Sequence, residues 1–359
     1  MRSGNSIPAR LSGFIASLVL VASLTVAAAA QEIHEREHGL FATKQISTKA
    51  IIGSQNRLVI RSAVNLSGKI NISSVAGREV RLTFTKQART EDRDKATDYI
   101  DLIGITLSTV ADETRLEMRA PNPAPWDPET EAGIIDAILQ VPPDCQIEID
   151  AQQFDVIATG PIKGMVIPSS LGSIDATSIT ELLDITTANR RVNLNSISGD
   201  IMVATSNSSI IARDIVSTKG QARFRNDGGE IRIQNFKGAI SVKNSFGRTD
   251  IMGFEPVGTN NFIRSSSGPI ILDIARMDNA QLVVSNQYED IEITVPDTLS
   301  AYLSLKVDDD GVIEASRLPF KTDLVERNRL NLHAGDGRAE ISGTVRGKGN
   351  IYIRGTKGD

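Results

Sequence analysis

The sequence has few of the residues on which disulfide-rich folds and metal enzymes depend. One cysteine and three histidines occur among 359 residues, and aromatic residues make up only 4%. A single cysteine cannot pair within the chain, so a disulfide framework is excluded. Three histidines leave little material for histidine-based metal or acid–base chemistry. The net charge of -5 disfavours general nucleic-acid binding, and no nucleic-acid partner is predicted.

Charge is almost absent from the first thirty residues, where Arg2 and Arg10 are the only charged side chains. An uncharged run, residues 14–30, follows them and ends in small residues. This pattern predicts a secretory signal peptide over residues 1–30, with a short uncleaved anchor as the alternative. We therefore predict export to the periplasm or the cell surface. No transmembrane span is expected after cleavage, since no other uncharged stretch approaches the roughly 20 residues of a spanning helix.

The sequence does contain a nine-residue repeat. From residue 147, pairs of apolar residues separated by one position recur, and the first eight pairs begin nine residues apart. Both members of such a pair lie on one face of a β-strand. The nine residues accommodate a short strand and a turn, and Gly, Ser and Asn mark the turns. The pairs are Ile147/Ile149, Val156/Ala158, Met165/Ile167, Ile174/Ala176, Leu183/Ile185, Val192/Leu194, Ile201/Val203 and Ile210/Ala212.

Three-residue insertions interrupt this repeat after residue 212. Two consecutive pairs make up one longer period. This period is about 18 residues long, or about 21 where it contains an insertion. Each insertion falls between the first and second strand of a period (the variable turn), whereas the turn after the second strand keeps its length (the constant turn). An antiparallel meander gives no reason for this asymmetry. The spacing predicts an all-β fold, a parallel single-stranded β-solenoid (β-helix) with about nine residues per strand–turn unit and 18–21 per coil.

The predicted organisation has four parts. Residues 1–30 are a signal peptide, residues 31–54 a polar leader or N-terminal cap, residues 55–142 an irregular β-rich N-terminal part of the solenoid, and residues 143–359 the regular β-solenoid with its C-terminal coils. Further pairs are expected to follow the same rhythm, more loosely before residue 147 and again towards the C-terminal end, and Asn residues near the turns to hydrogen-bond along the axis. These pairs include Leu82/Phe84, Ile105/Leu107, Leu303/Leu305, Leu330/Leu332 and Ile351/Ile353.

One metal-binding motif occurs near the predicted cleavage site. The run from His34 to His38 reads H-E-R-E-H and matches the zinc-protease pattern H-E-x-x-H. That chemistry needs both imidazoles on one face of a buried helix and a third ligand. The charged surroundings favour a charged leader, with a zinc hydrolase as the weaker alternative. No catalytic, cofactor-binding or metal-ligating residue is predicted, and no cofactor.

Basic residues are concentrated in the middle of the repeat. A solvated face is the preferred interpretation and a polyanion site the alternative, because three acidic residues lie among them (Asp227, Glu230 and Asp250). Trp126 is expected to pack over a coil edge or to project from a loop, and Cys145 to be a free thiol. The basic residues are Arg223, Arg225, Arg232, Lys237, Lys243 and Arg248.

Three segments carry a family resemblance: GDIMVATSNSSIIARDI (199–215), GEIRIQNFKGAISVKNSFGRTDIMGF (229–254) and GNIYIRG (349–355). The pattern resembles the bacterial putative-adhesin family of unknown function, secreted or envelope proteins with β-solenoid repeats. Several turn glycines of that family are replaced here, for example by Arg190, Ser208 and Glu289. The resemblance implies a fold and a surface-binding role, and it supplies no catalytic residues.

These observations predict an exported, non-enzymatic protein that presents a repetitive surface for binding or adhesion in the cell envelope. Its expected partner is an envelope protein or a glycan. The alternative is a carbohydrate-active β-helix enzyme that acts on a polysaccharide. Such an enzyme needs two carboxylates that converge within about 5–10 Å of each other.

Overall fold

The structure is a computed structural model that describes residues 32–308, 310–317 and 320–356. The predicted signal peptide lies outside these residues. The described chain forms one sheet of 26 strands, most of them paired in parallel, and one α-helix. The prediction of an all-β, largely parallel fold is therefore confirmed.

The N-terminal third combines parallel pairs with an antiparallel cover. Strand β6 pairs antiparallel with β2, β3 and β9, and β7 pairs antiparallel with β8. The elements of this part are β1 (Ile33–Glu37), β2 (Leu40–Thr43), β3 (Ile46–Ile51), β4 (Arg57–Ser62), β5 (Leu66–Ser74), β6 (Glu79–Arg89), α1 (Arg93–Leu102), β7 (Gly104–Val110), β8 (Glu113–Arg119) and β9 (Ala132–Val141).

The middle of the chain is parallel throughout, and each segment pairs with the equivalent segment of the next period. Ile174 pairs with Val192, Val192 with Ile210, and Ile210 with Ile231. The strands are β10 (Gln146–Asp150), β11 (Phe154–Ser170), β12 (Ile174–Thr187), β13 (Val192–Thr205), β14 (Ile210–Asn226), β15 (Ile231–Asn244), β16 (Thr249–Pro256), β17 (Asn261–Ser265), β18 (Ile270–Ile274), β19 (Gln281–Asn286) and β20 (Ile291–Val295).

The inward pairs of the first and second strands form two buried ladders. A third buried ladder, which the repeat did not reveal, lies at the variable turn. Its buried members sit in register on successive layers, and Phe236 contacts Phe254 edge-on with ring centroids 5.9 Å apart. A residue with positive φ precedes most of them, such as Ser196 (φ 56°) and Asn235 (φ 56°), and bends the strand round the corner. The ladder consists of Ile162, Ile179, Ile197, Ile215, Phe236, Phe254 and Ile274.

The C-terminal strands do not stack in chain order. They are β21 (Ala301–Lys306), β22 (Ile313–Ser316), β23 (Lys321–Glu326), β24 (Arg329–His333), β25 (Ala339–Val345) and β26 (Ile351–Gly355). Strand β25 lies between β19 and β21, and β26 lies between β20 and β22, all in parallel.

The expectation for Leu330/Leu332 was therefore wrong, whereas Leu303 keeps a parallel pairing, with Ile341 of β25 between it and Leu282. Leu332 belongs to β24, which pairs antiparallel with β21 and with β23 and covers the end of the sheet. Alternation of apolar residues shows which face of a strand is buried. It is the same for parallel and antiparallel neighbours, so it does not predict the direction of pairing.

The N-terminal end shows a similar departure from chain order. Strands β4 and β5 lie between β8 and β9 on one side and β10 and β11 on the other. The pairs Leu82/Phe84 and Ile105/Leu107 were expected to follow the parallel rhythm, and they belong instead to the antiparallel strands β6 and β7. Each end of the sheet is thus built from chain segments that are distant in sequence.

Candidate binding surface

The constant turn is organised by buried polar side chains. One such residue ends the second strand of each layer, and these residues sit in register along the sheet. Asn244 is typical, since its Nδ2 donates to the carbonyl oxygens of Gly229 (3.1 Å), Gly247 (2.8 Å) and Arg248 (3.3 Å). The ladder consists of Ser170, Thr187, Thr205, Asn226, Asn244, Ser265 and Asn286.

Glycines bring neighbouring constant turns into close contact. A Cβ atom on Gly247 would collide with the carbonyl oxygen of Gly229, and one on Gly268 with that of Gly247. The buried polar ladder and this close approach explain why the constant turn has no insertions. The stacked constant turns form an edge. On one side of this edge lies the outward face of the first strands, on the other side that of the second strands, and the two faces carry different side chains.

We name these faces by their strands. The A face is formed by the first strands of each period (173–177, 191–195, 209–213, 230–234, 248–252, 269–273 and 290–294), which the C-terminal segment 350–354 continues. The B face is formed by the second strands (146–150, 164–168, 182–186, 200–204, 221–225, 239–243, 260–264 and 281–285).

The basic residues noted in the sequence divide between these faces. On the A face, Arg232 pairs with Glu230 at 2.7 Å, and Arg248 pairs with Asp250 at 3.2 Å. At the variable turn, Lys237 lies 3.6 Å from Glu255. Each of these three cations therefore has an acidic partner nearby, which agrees with the interpretation of a solvated face.

The other three basic residues lie on the B face, together with one that the sequence did not single out. Arg225, Lys243 and Arg264 are in register on successive strands, and Arg223 lies two residues before Arg225. Parallel strands are about 4.8 Å apart, so the row of three spans about 10 Å. We call these four residues the basic patch.

The basic patch has little acidic compensation. Arg225 lies 3.6 Å from Asp227, and across the described parts of the chain the other three residues have no ion pair. The guanidinium carbon of Arg264 lies 5.4 Å from the centroid of the Phe262 ring. Phe246, which is 70% exposed, lies in the adjoining constant turn. All four cations are exposed to solvent.

The other half of the B face is acidic. Its second strands between residues 146 and 204 carry Glu148, Asp150, Asp184 and Asp200 and no basic residue. Burial and, to a lesser degree, the charge of Asp200 raise the pKa of the Asp184 carboxyl above its ordinary value. Glu148 is bound by Arg57 from strand β4. The charge of the B face therefore changes from negative to positive between residues 204 and 223.

The surface of the described residues includes three shallow cavities with volumes of about 310, 380 and 370 Å³. Each is lined by a single carboxylate, namely Glu148, Glu117 or Glu340. Within residues 32–308, 310–317 and 320–356, no group of three His, Cys, Asp or Glu side chains is arranged to hold a metal ion.

The H-E-x-x-H motif forms a strand. His34 lies in β1, which pairs antiparallel with β2, and His38 lies in the hairpin turn with a side chain that is 97% exposed. Residues four apart along a strand are about 13 Å apart, too far to share one metal ion. The zinc-hydrolase interpretation is therefore wrong, because it requires a helix. The predicted polar leader contains strands β1, β2 and β3.

Trp126 is buried and packs edge-on against Tyr99 of helix α1, with ring centroids 5.7 Å apart. The Tyr99 hydroxyl donates to Glu131 at 2.7 Å, and Thr90 and Lys95 also bind this carboxylate. The Tyr99 hydrogen bond is the main cause that lowers the pKa of Glu131 to about 2. This network anchors the loop between β8 and β9 (residues 120–131), which carries Trp126, and is structural.

Cys145 is a free, buried thiol in the turn before β10. Burial, and then the charge of Asp144, raise its pKa to about 12, so the nucleophilic thiolate is suppressed.

No family model and no curated protein matches the chain. Similar solved structures include a putative adhesin from Parabacteroides merdae, with 9% identity over 86% of this chain and 96% of that one and a TM-score of 0.40. A putative adhesin from Bacteroides fragilis covers 86% of this chain and 97% of its own at 9% identity, with a TM-score of 0.27. A putative cell adhesion protein from Clostridium sporogenes covers 87% and 100% at 10% identity, with a TM-score of 0.21.

Helix α1, at ten residues, is too short to cross a membrane, and no other helix in the described chain has the length and hydropathy to do so.

Proposed function

We propose that this chain is an exported, non-enzymatic β-solenoid that presents its B face for binding or adhesion in the cell envelope. The observation that carries the proposal is the B face itself, which is repetitive and changes from acidic to basic along the sheet. Parallel stacking extends such a face over many strands, and an extended surface of this kind suits a large ligand better than a small substrate. The expected ligand is an envelope protein or a glycan.

The pairing register supports the solenoid part of this proposal. Partners along the regular region are equivalent residues of successive periods, so each turn of the chain contributes one layer with an A strand and a B strand. The added residues of the longer periods are taken up at the variable turn, where strand β14 shows a register shift between Val216 and Gln221. On this basis one coil is one period of the repeat and contains two strand–turn units.

The cavities support a binding role rather than catalysis. Glycoside hydrolysis requires two carboxyl groups across the scissile bond, one to act as an acid and one as a base or nucleophile. Glu148, Glu117 and Glu340 each stand as the single carboxylate of a separate cavity. The buried and weakly acidic Cys145 likewise offers no nucleophile.

The decisive experiment is affinity capture with the purified chain, from residue 31 onward, as bait and a detergent-solubilised envelope fraction as prey. The matched control is the same chain with Lys243→Glu and Arg264→Glu, which keeps the inward ladders intact. We expect a discrete protein or glycan to be retained by the wild-type chain at low salt. Retention of nothing above an unrelated protein of equal charge would contradict the proposal.

One observation favours the enzymatic alternative, a polysaccharide-cleaving β-helix. Burial raises the pKa of the Asp184 carboxyl on the B face, and a carboxyl group with a raised pKa is typical of a general acid. The test is the release of reducing ends from acidic and neutral polysaccharides. Loss of that activity in Asp184→Asn, with unchanged thermal stability, would establish the alternative. Absence of any release supports the binding role.

A further inference from the structure

We propose that the basic patch (Arg223, Arg225, Lys243 and Arg264) binds a linear acidic polysaccharide that lies along the stacking axis of the sheet. This inference rests on the proposed binding role of the B face and names its ligand class. The groups recognised are carboxylates or sulfates repeated along an extended chain.

The alignment of the patch along the stacking axis favours a linear ligand. Arg225, Lys243 and Arg264 occupy equivalent positions on three successive strands, so their cationic groups form a row along the axis at intervals of about 4.8 Å. The same row continues through Ser285 and Thr344, whose hydroxyl groups are hydrogen-bond donors. A polymer with charges at regular intervals matches a row, whereas a compact anion would occupy one or two of these groups.

Lys243 and Arg264 remain available to a ligand because no acidic side chain of the described residues pairs with them, whereas Arg225 lies 3.6 Å from Asp227. The second strands over 221–225, 239–243 and 260–264 contain four basic residues and no acidic one. By contrast, Arg232 and Arg248 on the A face are held by Glu230 and Asp250. Guanidinium groups also bind carboxylates and sulfates through paired hydrogen bonds, which adds geometric fit to charge.

The acidic half of the B face limits where such a ligand lies. Asp184 and Asp200 repel a polyanion on the N-terminal side of the patch. An acidic polysaccharide is therefore directed from Arg223 towards the C-terminal strands, where the row ends at Lys306. The polarity of the face thus determines both the position and the extent of the bound segment.

Neighbouring side chains favour a sugar polymer over other polyanions. Single-stranded nucleic acids bind to rows of aromatic rings that stack on successive bases, and the row of Arg225, Lys243 and Arg264 contains no ring. Binding to an anionic membrane needs several protruding apolar groups beside the cations. Two rings lie close to the row, Phe262 at 5.4 Å from the Arg264 guanidinium carbon and the exposed Phe246 in the adjoining constant turn, and such rings suit contact with the apolar face of a sugar.

The test measures affinity at low ionic strength for polygalacturonate and for heparin, with neutral dextran as the control polymer. The patch variant is Lys243→Gln with Arg264→Gln. The matched control is Arg213→Gln with Arg354→Gln, which removes the same charge from exposed positions in one row of the A face. Circular dichroism and thermal midpoints establish that both variants fold as the wild type does.

We expect wild-type chain to bind an acidic polysaccharide and not dextran, with affinity that falls as salt is added. The patch variant should bind about ten-fold more weakly, which corresponds to the loss of two surface ion pairs of favourable geometry. The A-face variant should remain within about two-fold of wild type.

Four outcomes would overturn the inference: no binding to either acidic polymer, equal losses in both variants, tighter binding to single-stranded DNA, or tighter binding to vesicles that contain anionic lipid. If affinity capture still retains an envelope component, the binding role stands and only the ligand class is wrong. If capture also fails, the proposed function fails with it.

Discussion

At the scale of single residues, the buried polar side chains of the constant turn are as important as the apolar ladders. Asn244 is almost fully buried, yet its amide satisfies three backbone carbonyl oxygens that face away from solvent. A buried polar group that loses its partner costs more free energy than an exposed one. Side chains that satisfy turn carbonyls are therefore structural at this edge.

Substitution of one of these residues tests that role. We expect Asn244→Ala to lower the free energy of unfolding by about 2–4 kcal/mol, because it removes the Nδ2 donor from the carbonyl oxygens of Gly229 and Gly247 and opens a small cavity. The control is Asn207→Ala, which removes an exposed hydrogen bond to Asn189 and should cost about 0.5 kcal/mol or less. Chemical denaturation of both variants supplies the comparison, and equal costs would contradict the role given to Asn244.

The pH dependence of stability tests the Glu131 network. The folded pKa of Glu131 is about 2, below its ordinary value of 4.5, so its stabilisation is complete above about pH 4.5 and is lost as the pH falls towards 2. Its side chain is only 13% exposed. We expect Glu131→Gln to destabilise the chain by about 2 kcal/mol at neutral pH, where the ionised carboxylate accepts the Tyr99 hydroxyl.

The difference in unfolding free energy between Glu131→Gln and wild type should shrink below pH 4.5 and nearly vanish at pH 2. Denaturant titrations at several pH values measure it. Tyr99→Phe removes one donor and serves as the second arm of a double-mutant cycle. A cost that does not change with pH would show that packing, and not the charge of Glu131, stabilises this loop.

At the scale of elements, the two turns of each layer have different tolerances. The variable turn near Gly220 is open, since a Cβ atom there would meet no neighbouring atom, whereas Gly247 touches the turn below it. Longer surface loops cost little in chain entropy. Extra residues in the constant turn displace the carbonyl groups that Asn244 binds.

Insertion of Ser-Gly-Ser after Lys219 should therefore lower the free energy of unfolding by less than about 1 kcal/mol. The same insertion after Phe246 should lower it by several kilocalories per mole, because it breaks the contacts of Gly247 and Asn244 on both sides. The midpoints of urea unfolding measure this contrast. Similar midpoints for the two insertions would contradict the distinction between the turns.

Alternation and spacing were sufficient to predict an all-β, largely parallel fold and the buried face of its strands. They did not reveal the corner ladder of Phe236 and Phe254, because a single buried residue next to a positive-φ position has no periodicity of two. The sequence also grouped six basic residues that the structure divides between two faces and the variable turn. Arg232 and Lys243 are near in the chain, and only the pairing of strands shows that they lie on opposite faces.

At the scale of the whole molecule, both ends of the sheet are completed by segments that are distant in sequence. At the C-terminal end, β25 and β26 fill the space between the layer formed by β19 and β20 and the layer formed by β21 and β22. That outer layer is therefore joined to the rest of the sheet through the last strands of the chain. Chain closure over such distances is slow, so this layer is expected to complete folding late.

Removal of residues 339–359 tests this dependence. We expect β21 and β22 to lose their parallel partners, so that the amides of residues 301–306 and 313–316 exchange rapidly with solvent, while those of residues 192–244 remain protected. The exposed edges of β19 and β20 should also promote self-association, since unpaired strands are templates for further pairing. Removal of residues 356–359 alone, which leaves β26 complete, is the matched control. Hydrogen exchange read by mass spectrometry supplies the measurement, and addition of a peptide that spans residues 339–356 should restore protection of β21. Unchanged protection of residues 301–306 in the shortened chain would show that the outer layer is stable without β25, through its pairing with β24 alone.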